Sequence, residues 1–278
     1  MEAEEKGTGR CAGIFDSHAH YFDPRFAAES EGADVILRRD VFGDGVIGVI
    51  NVGTNAENSR QCIRQAAEYD GMYAAVGYHP EDGQLCPLTP EQAVAQIADL
   101  IDTPEKRKTG KIVAIGEIGL DYHVQPTQKE RQAQFFRLQM ELAQKLSLPV
   151  IVHDREAHGD CVDMVREFPG VCGVFHSYSG SAEMAQELVR RGWYVSFSGV
   201  VTFRNANRVR QVAQSIPDDR ILLETDCPYL APTPYRGRLN HSGLLYYTAC
   251  ALAEIRGVSY ETIVSQTTRN AKDLFGIE

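Results

Sequence analysis

The chain has 278 residues, 43% hydrophobic and 24% charged, and a formal net charge of −10. That composition fits a soluble globular protein of one large domain or two small ones, able to bury a core without disulfides or structural metals. The acidic balance excludes a global basic footprint for duplex nucleic acid, and no apolar run approaches the roughly 18 residues of a membrane span.

Residues 1–12 open with MEAEEKGTGR, polar and acidic, without the apolar stretch of a signal peptide. They read as a disordered tail ahead of one domain over 13–278. Seven cysteines, odd in number and without a CxxC pair, point to reduced thiols in a cytoplasmic protein rather than a disulfide framework or zinc knuckle.

A first buried strand is predicted at 13–16, leading into Asp16-Ser17-His18-Ala19-His20. Residues two apart on a strand face the same way, so His18 and His20 can chelate one metal. Asp16 shares their parity one step deeper, where it can support a ligand or bind a further metal. A second strand at 45–52 precedes a helix over 56–69, and a third at 73–77 ends before His79. Thr89-Pro90-Glu91-Gln92 offers an N-cap, a proline at the first helical position and a capping-box glutamine. A fourth strand is predicted at 112–116. Glu117 follows it, placed to bridge two metals, and Asp121 can bind metal or brace the loop.

Thr127 with Glu130 predicts a capping box for a helix whose apolar face carries Phe135, Leu138, Leu142 and Leu146. The fifth strand, 149–152, ends at His153, with Arg155 two residues on; a helix at 156–168 follows. The sixth, 172–175, ends at His176, and a helix at 181–191 follows. A seventh at 194–198 precedes a helix at 205–215. The eighth, 220–224, runs into Glu224-Thr225-Asp226, with helices at 242–255 and 259–275 after it.

Eight short apolar strands alternating with helices predict a (β/α)8 barrel; periodicity alone leaves a doubly wound open sheet as the alternative. No G-x-G-x-x-G follows the first strand, which disfavours a dinucleotide fold. In a barrel the C-terminal strand ends converge on one mouth. His18, His20, Glu117, His153, His176 and Asp226 are therefore expected to form one divalent-metal site with hydrolytic chemistry. Asp226 can bind metal and accept the proton of the attacking water. Glu224 shares its parity and can take a further metal or serve structure.

The motifs DSHAH, GYHP, GEIGLDY, LPVIVHDR, HSYSG and ETDCPYL, in this order, resemble the TatD family of metal-dependent deoxyribonucleases within the amidohydrolase-like hydrolases. The similarity runs from about Ile14 to Phe275. It implies a TIM barrel with a two-metal centre of Mg²⁺, Mn²⁺ or Zn²⁺. By motif, His18, His20, Glu117 and Asp226 would hold one ion, and Glu117, His153 and His176 the other. It also implies action on DNA strand ends, often as a 3′ to 5′ exonuclease. Two segments depart from the family pattern: Arg236-Gly237-Arg238-Leu239-Asn240 is followed by His241 rather than closely by proline, and Tyr178 stands where phenylalanine is usual.

The reaction expected is two-metal phosphodiester hydrolysis, with phosphate contacts from His79, Arg155, Arg236 and Asn240. A hydrolase of small C–N or C–O bonds on the same centre is the first alternative. Many such binuclear relatives bridge their metals with a carboxylated lysine, whereas Glu117 stands at that place here. A catalytically idle metal-binding protein is the second alternative. A monomer is the default.

Overall fold

The computed structural model describes residues 11–278. The tail expected over 1–12 falls mostly outside that range. Cys11 is already buried, its thiol donating to the Gly243 carbonyl at 3.2 Å, so the packed chain starts before residue 13.

The strands are β1 (Phe15–Ala19), β2 (Gly48–Val52), β3 (Met72–Val76), β4 (Ile112–Asp121), β5 (Val150–Arg155), β6 (Gly173–Phe175), β7 (Tyr194–Phe197) and β8 (Ile221–Leu223). They lie in chain order in one sheet, every neighbouring pair parallel. A doubly wound sheet would reverse its strand order at a switch point, so this order excludes that alternative. The ring closes where Asp226 N–H donates to the His18 carbonyl at 2.9 Å and His20 N–H to the Cys227 carbonyl at 2.8 Å.

The helices are α1 (Arg25–Glu29), α2 (Ala33–Ile36), α3 (Ala56–Glu68), α4 (Pro80–Leu85), α5 (Pro90–Ile101), α6 (Pro104–Thr109), α7 (Lys129–Leu146), α8 (His158–Arg166), α9 (Ala182–Arg190), α10 (Asn207–Ser215), α11 (Leu245–Arg256) and α12 (Tyr260–Phe275). Thr89 and Gln92 form the predicted capping box at α5. The box predicted from Thr127 does not form: Gln128 is the N-cap of α7, without a side-chain cap, and the Thr127 hydroxyl donates back to the Val124 carbonyl at 2.5 Å. The buried face of α7 is also rotated from the prediction. Phe135, Phe136, Met140 and Ala143 are buried together with Gln132 and Gln139, while Leu138, Leu142 and Leu146 pack at its margin.

β4 runs five residues past the predicted end, because its glycines allow close approach to β5. A Cβ on Gly119, at φ +138°, would meet the His153 carbonyl oxygen at 2.0 Å, and one on Gly116 would meet Ile151 Cβ at 2.7 Å. β4 and β5 stay paired up to Asp121 and Arg155. Below the mouth, Phe15, Ile50, Ala75, Ala114, Ile151, Val174 and Leu222 form one apolar cluster with Leu274 and Phe275 of α12, giving the site a rigid floor.

Candidate metal centre

Six of the predicted residues converge at the mouth. His18 and Glu117 lie inside their strands, His153 inside β5, and His20, His176 and Asp226 just beyond theirs. His18 Nε2 is 3.0 Å from His20 Nε2, 3.4 Å from Glu117 Oε2 and 3.6 Å from Asp226 Oδ1. His20 Nε2 is 3.5 and 3.4 Å from the same two oxygens. Around the other Glu117 oxygen, Oε1, stand His153 Nδ1 at 2.8 Å and His176 Nε2 at 2.9 Å, themselves 3.2 Å apart. Donors bound to one divalent ion at about 2.0–2.2 Å sit about 2.8–3.6 Å from each other at octahedral or tetrahedral angles. Both groups have that spacing, and Glu117 gives one oxygen to each.

Supporting contacts set which ring nitrogen is free. His20 Nδ1 is 2.7 Å from the Val52 carbonyl, which only accepts, so the proton is on Nδ1 and the Nε2 lone pair faces inward. His153 Nε2 meets Asp121 Oδ2 at 3.1 Å, leaving Nδ1 as the inward lone pair. A partner that fixes a tautomer in this way is the usual complement of a metal-binding imidazole. His176 turns Nε2 inward, with Nδ1 3.4 Å from Glu224 Oε1 but without a hydrogen bond among the described residues. The buried Nδ1 of His18 has no hydrogen-bond partner among the described residues.

Burial would raise the Glu117 carboxyl, but the surrounding imidazoles, His176 foremost, then His79 and His18, hold it well below the usual carboxylate range. Burial likewise opposes ionisation of Asp226, and the adjoining rings of His20, His176 and His18 outweigh it. Both acids are therefore ionised at neutral pH. Asp226 sits at φ +58°, a left-handed conformation that Asp tolerates better than most residues.

The remaining predicted residues divide. Asp121 braces its loop, accepting from His123 N at 2.9 Å and Val124 N at 3.1 Å, and also offers a carboxylate oxygen close to ring nitrogens of His79 and His153. Glu224 is fully buried, taking the Ser196 hydroxyl and facing His176. His79 lies with Nε2 3.6 Å from Glu117 Oε1, and burial lowers its ring to about 3, so it is neutral. Its Nδ1 accepts from Glu81 N at the start of α4, at 3.2 Å, which puts the proton on Nε2. Arg155 is exposed, without a carboxylate partner among the described residues, beside a cleft of about 190 Å³ that His153, His176 and Asp226 also line. Arg236 is exposed, its guanidinium 4.4 Å over the Phe203 ring.

One expectation is corrected. Asn240 is not placed for a phosphate: it is fully buried, and its amide donates to the Thr225 and Tyr229 carbonyls at 3.0 and 2.6 Å. Of the two roles open to Asp16, its contacts match support of a neighbouring ligand. Its oxygens accept from Thr225 Oγ1 at 2.6 Å, Ser242 Oγ at 2.7 Å, Thr225 N at 3.0 Å and His18 N at 3.2 Å, tying β1 to the loop after β8. Ser242 lies in the segment that departs from the family pattern and here holds Asp16.

Sequence reading missed Gln132 and Gln139. Gln139 bonds both the N–H and the carbonyl of Tyr78, at 2.6 and 3.1 Å, and so positions the chain entering His79. Gln132 does the same for Asp121, at 2.9 and 2.8 Å. Their one sequence signal is a spacing of seven, two helical turns apart on the buried face.

The model of the family described as TatD related DNase matches residues 15–276. The metal-dependent hydrolase YabD of Bacillus subtilis is 39% identical over 266 residues, spanning 95% of this chain and 99% of that protein. A protein of Escherichia fergusonii named 3′-5′ ssDNA/RNA exonuclease TatD is 32% identical, over 95% and 99% of the two chains. The crystal structure of the TatD homologue YjjV from Escherichia coli superposes with a TM-score of 0.86 at 28% identity, covering 97% of this chain and all of that one. A barrel of eight parallel strands, a mouth of converging imidazoles and carboxylates, and similarity over nearly the full length together make this chain a member of the TatD family of metal-dependent hydrolases.

Proposed function

We propose that the chain is a two-metal phosphodiesterase that removes nucleotides from the 3′ end of DNA, acting as a monomer in the cytoplasm. The observation that carries this reading is Glu117, whose two oxygens face two separate ligand groups. His18, His20, Glu117 and Asp226 would hold one ion; Glu117, His153 and His176 would hold the other. Imidazoles mixed with carboxylates suit Mn²⁺, Zn²⁺ or Mg²⁺. Bound there, such ions supply Lewis-acid activation of water and of the phosphoryl group.

The chain's own groups do the rest. Asp226, ionised and partly open to the cleft, accepts the proton that the attacking water loses. His79, neutral with its proton on Nε2, donates to a phosphoryl oxygen. Arg155 offers a guanidinium fork at the cleft, and Arg236 a second cation on the loop after β8. Strand ends and 3′ to 5′ polarity are supported by the name of the Escherichia fergusonii relative. The net charge of −10 favours a short single strand over a long duplex.

The test is release of 3′ nucleotides from single-stranded DNA with Mg²⁺ or Mn²⁺, comparing wild type with Asp226→Asn. Loss of the proton acceptor is expected to cost at least about 100-fold. Equal rates in both proteins contradict the role of Asp226. Metal content of two equivalents per chain and sedimentation as a monomer check the remaining parts.

A further inference from the structure

Tyr229 stands apart from the other aromatic residues. It is 44% exposed, and no other Phe, Trp or Tyr among the described residues is as open. An exposed tyrosine is ordinarily free to move; this one is held at four points. Its phenol donates to Asp23 Oδ2 at 2.6 Å. The Arg25 guanidinium lies 5.4 Å from its ring centroid. Its backbone N–H donates to the Asp226 carbonyl at 2.9 Å, and its own carbonyl accepts from the buried Asn240 amide at 2.6 Å. Arg25 is in turn fixed by Glu29 at 2.7 Å and donates to the Pro228 carbonyl at 3.4 Å. These contacts immobilise an apolar ring without burying it, which gains little for the core. They make sense for a surface that must already be in place when something flat arrives.

The bond from Tyr229 N to the Asp226 carbonyl closes a four-residue turn, which keeps the two Cα atoms within about 7 Å. The ring therefore belongs to the rim of the metal mouth. Proteins that hold single strands without reading sequence stack bases on such aromatic rings, and a rigid ring loses little entropy in doing so.

We propose that Tyr229 is the stacking platform for an unpaired nucleobase next to the scissile phosphate. The Arg25 guanidinium covers part of the ring, and the base lies against what remains exposed. This rests on the nucleic-acid reading above and adds to it a residue that recognises bases in general rather than one base. It assigns Asn240 and Asp23 as positioning residues that act through Tyr229.

The test uses the full chain with Mn²⁺ and short single strands carrying 2-aminopurine at one of the last two 3′ positions. A base stacked on the ring loses fluorescence on binding, so quenching is expected with wild type and with Tyr229→Phe but not with Tyr229→Leu. In 3′-release assays, Tyr229→Leu raises KM for a normal end by about 5- to 150-fold more than for an end whose last nucleotides lack their bases. Tyr229→Phe keeps most of the discrimination, because the ring remains. Absence of quenching in wild type at both positions overturns the proposal, as does equal discrimination by Tyr229→Leu and wild type. If wild type cleaves such strands and either result is seen, only the stacking is wrong. If wild type hydrolyses a small phosphodiester but neither binds nor cleaves any strand, the nucleic-acid reading fails and the stacking fails with it.

Discussion

Replacing Asp121 with asparagine changes one atom and tests how the centre is built. Asp121 Oδ2 accepts from His153 Nε2 at 3.1 Å, and Oδ1 accepts from two backbone N–H groups at 2.9 and 3.1 Å. The carboxylate can accept on both sides; an amide cannot. If the amide oxygen keeps the backbone bonds, its NH₂ faces His153 Nε2, and the ring must move its proton to Nδ1. That proton then points at Glu117 Oε1 and His176 Nε2, 2.8 and 3.2 Å away, where a lone pair is needed. If the amide turns over, its NH₂ meets two N–H donors instead and the loop is left unpaired.

Loss of a partner that orients a ligand typically weakens metal binding about 10- to 100-fold, or about 1.4–2.7 kcal/mol. Titration calorimetry with Mn²⁺ on Asp121→Asn should show two equivalents still bound, with the one held by Glu117, His153 and His176 weakened by that factor and the other near wild type. Activity should return at saturating metal. Wild-type affinity at both sites would refute the orienting role. Complete loss of one equivalent would place Asp121 among the ligands themselves, with His79 and His153, whose ring nitrogens lie within reach of its oxygen.

Three further outcomes follow from the same geometry. Stripping the metal with a chelator and restoring Mn²⁺ at about a hundred times its Kd should stabilise the fold by about 2.7 kcal/mol per site, a rise in Tm of about 5–10 °C by calorimetry; an unchanged Tm would argue against binding at the buried mouth. Gln139→Leu leaves the Tyr78 N–H and carbonyl unpaired in a fully buried setting, so denaturant unfolding should show a loss of about 2–5 kcal/mol, and a loss within error of zero would mean that other groups rescue them. His158 is held above its ordinary value by its 2.7 Å bond to Asp154. The folded ring binds its proton more tightly than the unfolded one, so the pair stabilises fully below pH about 6.5 and less as pH rises through the raised value. The stability gap between wild type and His158→Gln, about 1–2 kcal/mol for a partly exposed ring on a buried carboxylate, should shrink from mildly acidic to alkaline pH; a gap that widens contradicts the sign.

The fold and the meeting of six histidines and acids at one mouth were legible because each rests on a local signal. Eight apolar runs separated by capped helices are visible one segment at a time, and a histidine or acid at the end of such a run carries its chemistry with it. Boundaries failed where a residue serves a distant partner. The fourth strand is expected to end at Gly116, yet Gly116 and Gly119 let β4 continue alongside Ile151 and His153, over thirty residues on. Thr127 has the pattern of a helix cap, but a nearer carbonyl at Val124 takes its hydroxyl.

Roles away from the ligands depended on which donors the fold leaves unspent. Asn240 and Arg155 both read as phosphate contacts. The amide of Asn240 is consumed by two backbone carbonyls, whereas the Arg155 guanidinium lines the cleft with no carboxylate partner among the described residues. That difference bears on how a phosphodiester enters. Glu117, Asp226 and Asp121 put ionised carboxylates at the mouth, with Asp16 and Glu224 buried behind them. One or two exposed arginines do not offset that field for an anionic strand. Ligand groups facing Glu117 from both sides supply the sites where divalent charge would reverse it locally. Substrate affinity and metal loading are therefore coupled through the same carboxylates. A strand should bind the metal-loaded protein far more tightly than the stripped one, and by linkage should tighten the metal in return.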